Sequence, residues 1–121
     1  MGASRTFVVC ESSANQVIGF YALATGSVQR QSVSGALRRN MPDPLPVLVL
    51  GRLAVDERYH RQGIGAGLLK DAILRSRQVA EQVGTKALLV HALSEDAKDF
   101  YLHWGFTSSE IQPNTLLLPL W

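Results

Sequence analysis

The sequence has little of what extracellular and membrane proteins usually need. It contains one cysteine, Cys10, so it cannot form an internal disulfide, and this fits a reducing cytoplasm. No apolar run approaches the roughly 20 residues that a membrane helix requires, and no signal peptide is visible. We therefore expect a cytoplasmic protein that does not enter a membrane. Cys10 ends the strand-like run Phe7-Val8-Val9, which predicts a buried and inert thiol.

Charge and metal-ligand patterns are also sparse. Charged residues make up 18% of the 121 positions and the formal net charge is +2, so the total charge is no signature of nucleic-acid binding. The histidines His60, His91 and His103 share no metal-like spacing, so we expect no metal and a structural role for each, with His91 placed to line a site. The length predicts a single domain, 1–121, with a core of its own.

What the sequence does contain is a strand, a glycine-rich turn and an amphipathic helix within residues 47–83. Apolar, β-branched residues precede the turn RQGIGAG, and apolar residues recur at helical spacing after it. A helix start has unpaired backbone N–H groups, and glycines let an anion approach them closely. Residues 62–67 therefore predict a phosphate cradle.

Spacing excludes two common nucleotide-binding motifs. After Gly63 and Gly65 the third glycine of a Rossmann fingerprint comes one place early, at Gly67, and Leu68 fills the required position. A Walker P-loop would need Gly-Lys followed by Ser or Thr, which is absent. On the glycines alone, a tight turn that binds nothing remains an alternative.

Two longer segments resemble the GNAT acetyltransferase superfamily. RLAVDERYHRQGIGAGLL is similar to the family's acyl-CoA pyrophosphate loop, Gln/Arg-x-x-Gly-x-Gly/Ala, which follows a strand ending in apolar-x-Val. ALSEDAKDFYLHWGF resembles the second signature, Asn-x-x-Ala-x-x-x-Tyr-x-x-x-Gly-Phe. The chain departs from these patterns at His60, which stands in the usual Gln/Arg position, and at Ser94, which replaces the usual Asn.

The resemblance implies an α/β protein with the α+β GNAT fold. Its central sheet is mixed and mostly antiparallel, helices flank it, and the fourth and fifth family strands are parallel and splayed. The family's first strand and two helices are expected to be missing, because the residue pattern begins with a hairpin of strands, 6–10 and 17–25. The elements expected after the hairpin are a connection at 26–46, a strand at 47–55, a helix at 65–83 closed by Gly84, a strand at 87–93, a helix from Ser94 to Trp104, and strands from Phe106 and at 115–120.

The resemblance also implies acetyl-CoA as cosubstrate, with pantetheine on the strand end and pyrophosphate at the helix start. The expected cofactor-binding residues are Leu53, Ala54, Val55, Arg61, Gln62, Gly63, Ile64, Gly65, Ala66, Gly67, Ser94 and Lys98. Ser94, Ala97 and Tyr101 lie at i, i+3 and i+7 and hence on one helix face. Tyr101 is expected to act as general acid towards the CoA thiolate. No Glu or His stands out as a base.

A closer resemblance is to the TacT-type toxins of type II toxin–antitoxin systems. It is carried by SRTFVV, GFYALATGSV, LRRNMPDPLPVLVLGRLAVD and VHALSEDAKDFYLHWGF. It implies acetylation of the α-amine of aminoacyl-tRNA, inhibition of translation and a ribbon-helix-helix antitoxin as partner, and we also expect a homodimer. The arginines that would meet tRNA phosphates are Arg30, Arg38, Arg39 and Arg52.

Three alternatives remain at this stage. The arginines would also fit an ordinary solvated loop. The enzyme would then act on a small amine or a protein N-terminus without needing tRNA. A chain without the first family elements would also fit a non-catalytic binding module.

Overall fold

A computed structural model of the chain describes residues 4–11, 16–29, 42–109 and 112–120. Its strands are β1 (Arg5–Glu11), β2 (Gln16–Val28), β3 (Leu45–Val55), β4 (Ala87–His91), β5 (Thr107–Ser108) and β6 (Thr115–Pro119). The helices are α1 (Ile64–Val83) and α2 (Glu95–His103), with a 3-10 turn at Glu57–Tyr59. Within these residues, neither helix has the length and apolarity needed to cross a bilayer.

The six strands form one mixed sheet in the order β1-β2-β3-β4-β6-β5. Only the neighbours β3 and β4 are parallel, and the other described pairs are antiparallel. The helix α1 connects the two parallel strands, as a crossover between parallel neighbours requires. The expected mixed, mostly antiparallel sheet is therefore confirmed.

The parallel pairing stops well before β3 ends. It runs from Val47 opposite Ala87 to Leu50 opposite Val90. Beyond Leu50, β3 continues to Val55 with β2 on one side only, and the β2–β3 register shifts so that Gly51 is an extra residue. The sheet therefore opens between the end of β3 and the end of β4, as the splayed parallel strands of the resemblance imply.

Alternation along the strands gives the sheet two apolar faces. Leu88 and Val90 belong to the larger core cluster, which includes Leu68 and Leu69 of α1. Ala87 and Leu89 point the other way, into a smaller cluster. Each fully buried leucine contributes about 1.5–3 kcal/mol by leaving water, so the larger face fixes α1 on the sheet.

Capping residues set the helix ends much as the sequence predicts. Gly84 has a left-handed backbone (φ 78°), and its N–H donates to the Ala80 carbonyl at 3.0 Å, which closes α1. Ser94 Oγ accepts from the Ala97 N–H at 3.1 Å, which opens α2. The expected strand at 87–93 is shorter, because the chain leaves the sheet after His91.

Cys10 is exposed, so the prediction of a buried thiol is wrong. Among the strands that the structure describes, β1 lies at the edge and pairs only with β2. Its valines are also open to solvent, with Val8 55% exposed and Val9 37% exposed. An apolar run therefore marked a strand correctly but not a central one, because edge and central strands share this composition.

The connection between β2 and β3 is shorter than the expected 26–46. Gly26, Ser27 and Val28 still pair with β3, opposite Val47, Pro46 and Leu45. Two prolines, Pro42 and Pro44, precede β3, whereas Pro46 lies within it.

The sequence predicts the turn between the first two strands at 11–16. Positions 12–15 of this turn lie outside the described residues.

Candidate active site

A groove of about 260 Å³ lies where β3 ends, beside the start of α1. Six of the predicted cofactor-binding residues line it: Leu53, Val55, Arg61, Gly63, Ile64 and Gly65. Tyr59, His60 and Phe100 complete the described lining. The fold thus brings the strand end, the glycine turn and α2 to one place.

The backbone at the end of β3 faces the opening in the sheet. The Asp56 N–H donates to the Ile18 carbonyl of β2 at 2.7 Å. Since the N–H and C=O of a trans peptide point in opposite directions, the Val55 carbonyl points away from β2. Leu53 directs its backbone the same way, because hydrogen-bonding direction alternates along a strand. The backbone groups of Leu53 and Val55 therefore face the opening in the sheet, and pantetheine contacts at these two residues stay a prediction.

His60 already occupies one of these backbone groups. Its Nε2 lies 2.8 Å from the Val55 carbonyl oxygen. A carbonyl only accepts, so Nε2 carries the proton and donates. The histidine that stands in the usual Gln/Arg position thus ties the turn to the strand.

The start of α1 is built for an anion. Arg61 (φ 65°) and Gly63 (φ 77°) both have left-handed backbones, a conformation that glycine adopts without strain. Within the described residues no side chain caps this helix, and its first turn, Ile-Gly-Ala-Gly, has no acid. A Cβ built on Gly63 would meet nothing within 4 Å. The open helix N–H groups and the positive end of the helix dipole therefore face free space.

Asp56, which caps the 3-10 turn before the glycines, is paired with Arg58. The Asp56 carboxylate accepts from the Arg58 N–H at 2.9 Å and from the Arg58 guanidinium at 3.1 Å. The hydrogen bond from that side chain is the main cause of a lowered pKa at Asp56. Asp56 thus shapes the 3-10 turn while Arg58 balances its charge.

Tyr101 and Phe100 are neighbours on α2 with different surroundings, and the general-acid role of Tyr101 stays a prediction. Tyr101 is 7% exposed, and its ring lies edge-on to Phe100 at 5.2 Å and to Phe106 at 5.4 Å. Burial raises its pKa above the usual value. Phe100, the residue before it, lines the groove.

The other predicted residues lie around the groove rather than in its lining. Ala54 alternates to the opposite face of β3 from Leu53. Gly67 lines a second groove, between β1 and α1, with Tyr21 and Asp71. Ser94 caps α2, and the Lys98 N–H donates to the Ser94 carbonyl at 3.0 Å one turn later. The remaining two residues are neighbours of the glycines in the lining: Gln62 is exposed and Ala66 is half-buried.

Of the predicted tRNA-binding arginines, one is described. Arg52 is exposed and pairs with Ala22 in the β2–β3 register, on the face opposite Leu53. Arg30, Arg38 and Arg39 lie outside the described residues. Their grouping with Arg52 stays a prediction.

Sequence reasoning missed Tyr59, His60 and Phe100 as groove residues. Tyr59 and His60 directly precede the glycine turn, so their proximity was available as a signal. Phe100 lies three residues after Ala97, on a face that the helical period also permits. Nothing in the pattern decides which of two adjacent aromatics turns into the core.

A strand end splayed from its parallel neighbour, beside an uncapped glycine-rich helix start, is the arrangement that the resemblance to acyl-CoA-binding α/β proteins implies. The profile of the Acetyltransferase (GNAT) domain matches residues 3–108, and the chain belongs to this family. The "tRNA-acetylating toxin" of Mycobacterium tuberculosis is 50% identical over 117 residues, which cover 97% of this chain and 69% of the toxin.

Two solved structures are similar in fold. AtaT complexed with acetyl-methionyl-tRNAfMet superposes with a TM-score of 0.90 at 31% identity, covering 96% of this chain and 71% of AtaT. A tyrosine-to-phenylalanine variant of AtaT, bound to the C-terminus of the antitoxin AtaR and acetyl-CoA, has a TM-score of 0.80 at 29% identity. That match covers 97% of this chain and 68% of the AtaT chain.

Proposed function

We propose that this protein is a toxin that transfers an acetyl group from acetyl-CoA to the α-amine of aminoacyl-tRNA and thereby blocks translation. The observation that carries the proposal is the uncapped start of α1 beside the splayed end of β3. The relative that is 50% identical is named for tRNA acetylation, and a fold neighbour was solved with an acetylated methionyl-tRNA. Both support the same acceptor.

The residues around the groove fit acetyl-CoA. Open space over Gly63 and the N–H groups of the first turn of α1 suit its pyrophosphate, and Arg61 adds a positive side chain. Leu53 and the Val55 N–H would pair with the pantetheine arm, while Ser94 and Lys98 add donors at the start of α2. When bound, acetyl-CoA supplies an activated acetyl thioester. Phe100 and Leu53 would shield the groove from water.

Tyr101 is the proposed general acid. Burial keeps its pKa above that of an ordinary phenol, so the hydroxyl remains protonated at physiological pH. A thiol has a pKa near 8.5, so complete proton transfer from a phenol is uphill by roughly 2 kcal/mol or more. Tyr101 therefore acts by donating to the sulfur while negative charge develops there, and it regains its proton as the amine loses one.

The acceptor end of the proposal involves the arginines. Arg30, Arg38, Arg39 and Arg52 would position tRNA through phosphate contacts, which carry little sequence information. The amine of an aminoacyl ester is less basic than the roughly 7.7–8.0 of a chain terminus, so much of it is neutral near pH 7. A ribbon-helix-helix antitoxin, a homodimer and a cytoplasmic location complete the proposal, and the AtaT structure with the antitoxin AtaR supports an antitoxin as partner.

The test is transfer of labelled acetyl from acetyl-CoA to three acceptors. These are aminoacyl-tRNA, the same tRNA without its amino acid, and a free amino acid methyl ester. We expect label on aminoacyl-tRNA only, released together with the amino acid by mild base. Labelling of the methyl ester at an equal kcat/KM would instead identify a small-amine acetyltransferase. No labelling of any acceptor, with acetyl-CoA bound, would favour a binding module.

A further inference from the structure

A chain of hydrogen bonds lies on the sheet face opposite the helices. His91, at the end of β4, has its Nδ1 3.0 Å from Thr115 Oγ1 on β6. The Thr115 hydroxyl donates to Gln112 Oε1 at 3.2 Å. Gln112 is held in turn, because its N–H donates to Ser109 Oγ at 3.3 Å.

These hydrogen bonds determine which ring nitrogen of neutral His91 carries the proton. A threonine hydroxyl has one hydrogen, and here it points to Gln112 Oε1, an oxygen that can only accept. Thr115 Oγ1 must therefore accept from His91, so the ring proton is on Nδ1. The Nε2 lone pair of His91 is then available to take a proton, which is the arrangement of an oriented general base.

His91 also stands at a distinctive place. It follows Val90, whose pairing with Leu50 is the last between the two parallel strands, so it borders the opening in the sheet. Its side chain is exposed and lines a concavity of about 230 Å³ with Val49, Leu89 and Thr115. The acetyl-CoA groove, with Leu53 and Phe100, lies beside the same opening. An acceptor could therefore approach from the concavity while the thioester enters from the groove.

We propose that this concavity receives the acceptor amine and that His91 Nε2 takes the proton that the amine loses. The inference rests on the proposed function. The neutral amine forms the new C–N bond to the thioester carbonyl carbon, and the C–S bond breaks. The proton leaving nitrogen goes to His91 Nε2, and the proton from Tyr101 goes to sulfur. Solvent returns one proton from His91 to Tyr101, so the products are the amide and the free thiol.

The residues around His91 make the effect of pH on this site simple to interpret. The described lining comes from β2, β3, β4, β6 and the segment leading to β6, and within it His91 is the one ionisable side chain. Thr115 is a positioning residue, since it acts through His91. The competing explanation is that His91 and Thr115, which are opposite each other in the β4–β6 register, merely hold two strands together.

The experiment uses His91→Asn in the full chain. An asparagine amide can replace the Nδ1 donor to Thr115, so the cross-strand contact survives while the Nε2 base is lost. We expect kcat/KM for aminoacyl-tRNA to fall about 10²-fold at pH 8, the lower end of general-base effects. The melting temperature and the Kd of acetyl-CoA should remain those of the wild type. Thr115→Val should lower kcat/KM and Thr115→Ser should restore it, because serine keeps the hydroxyl. His103→Asn, on the far end of α2, is the matched control.

The decisive measurement is the ratio of wild-type to His91→Asn kcat/KM between pH 5.5 and 8.5. Ionisation of the amine affects both enzymes and cancels in the ratio. A base at His91 predicts a ratio that shrinks towards one at low pH, because a general base acts only in its unprotonated form. The inference about His91 is overturned if the ratio stays constant with pH or if His91→Asn has the kcat/KM of the wild type. The proposed function still stands in that case, provided that the wild type acetylates aminoacyl-tRNA. Failure of the wild type to acetylate aminoacyl-tRNA overturns both.

Discussion

His60 Nε2 donates to the Val55 carbonyl oxygen across 2.8 Å, so the turn that leads to the glycine loop is fastened to the end of β3. Both residues line the candidate acetyl-CoA groove. It couples the strand that would hold pantetheine to the turn that would hold pyrophosphate. The groove therefore has its shape before any ligand binds.

The first prediction concerns this bond. His60→Ala should raise the Kd of acetyl-CoA about two- to tenfold, because a net hydrogen bond contributes about 0.5–1.5 kcal/mol and its loss loosens the groove. His60→Gln can still donate and should lose less. Calorimetry measures both, with His103→Ala as a matched control on an exposed helix end. Wild-type affinity in folded His60→Ala would show that the groove does not depend on this contact.

The second prediction separates bulk from charge at the helix start. A Cβ on Gly65 would meet Val55 Cγ2 at 3.9 Å, an ordinary contact, so Gly65→Ala should fold normally. Gly65→Asp places a negative charge where an anion must bind and should raise the Kd of acetyl-CoA about tenfold or more, or about 1.4 kcal/mol. Gly63→Asp should act in the same direction. Equal affinities for the alanine and aspartate variants would rule out the phosphate cradle.

These residues also show what sequence could and could not predict. Helix ends depend on local chemistry, so Ser94 and Gly84 were placed correctly, and the two parallel strands followed from their apolar runs. The sequence was less informative about which elements and side chains pack against each other. Cys10 lies in an apolar run that forms the edge of the described sheet, and Phe100 lines the groove although no pattern singled it out. Periodicity defines the face of an element but does not specify which neighbour covers that face.

The third prediction tests Tyr101. Tyr101→Phe keeps the ring packed between Phe100 and Phe106 and removes only the hydroxyl. As a general acid, Tyr101 should contribute about 10²–10⁴-fold to kcat, while the Kd of acetyl-CoA and the melting temperature change little. Its pKa is raised by burial, so wild-type kcat should show no loss from tyrosine ionisation up to about pH 10. Unchanged turnover in Tyr101→Phe would leave it a packing residue.

The fourth prediction concerns stability at the second groove. The Tyr21 hydroxyl donates to Asp71, whose carboxylate also accepts from Arg75 Nε at 3.0 Å. Burial and this hydrogen bond raise the pKa of Tyr21, so its stabilising effect is complete below about pH 10 and is lost as pH rises further. The hydrogen bond from Tyr21 is the main cause of the lowered pKa of Asp71, whose contribution is present above about pH 4 and is lost as pH falls.

Tyr21→Phe should therefore lower the free energy of unfolding by about 1–2 kcal/mol at pH 7. It should also reduce the loss of stability above pH 10. Asp71→Asn should instead reduce the loss below pH 4. Urea unfolding at pH 3.5, 7 and 10.5 measures all three proteins, and parallel pH curves for wild type and Tyr21→Phe would contradict the assignment.

The last prediction is that the arginines between β2 and β3 bind nucleic acid. Arg30, Arg38 and Arg39 lie in one segment of the sequence with no acid before Asp43, and Arg52 is exposed on β3. Phosphate contacts position tRNA without reading its sequence, so Arg38→Ala with Arg39→Ala should weaken binding to several aminoacyl-tRNAs alike. Each lost contact should also reduce the slope of log K against log salt by roughly 0.7–0.9.

The measurement is aminoacyl-tRNA affinity across a salt series, with acetyl-CoA affinity measured alongside. The Kd of acetyl-CoA should not change, because neither substituted arginine is among the described residues that line the groove beside Gly63. Lys70→Ala with Arg77→Ala removes the same charge from exposed positions on α1 and controls for a general effect of net charge. If both double variants weaken tRNA binding equally, the attraction is diffuse. If neither does, the arginines are ordinary solvated surface and acetylation of a small amine or a protein N-terminus becomes the better explanation.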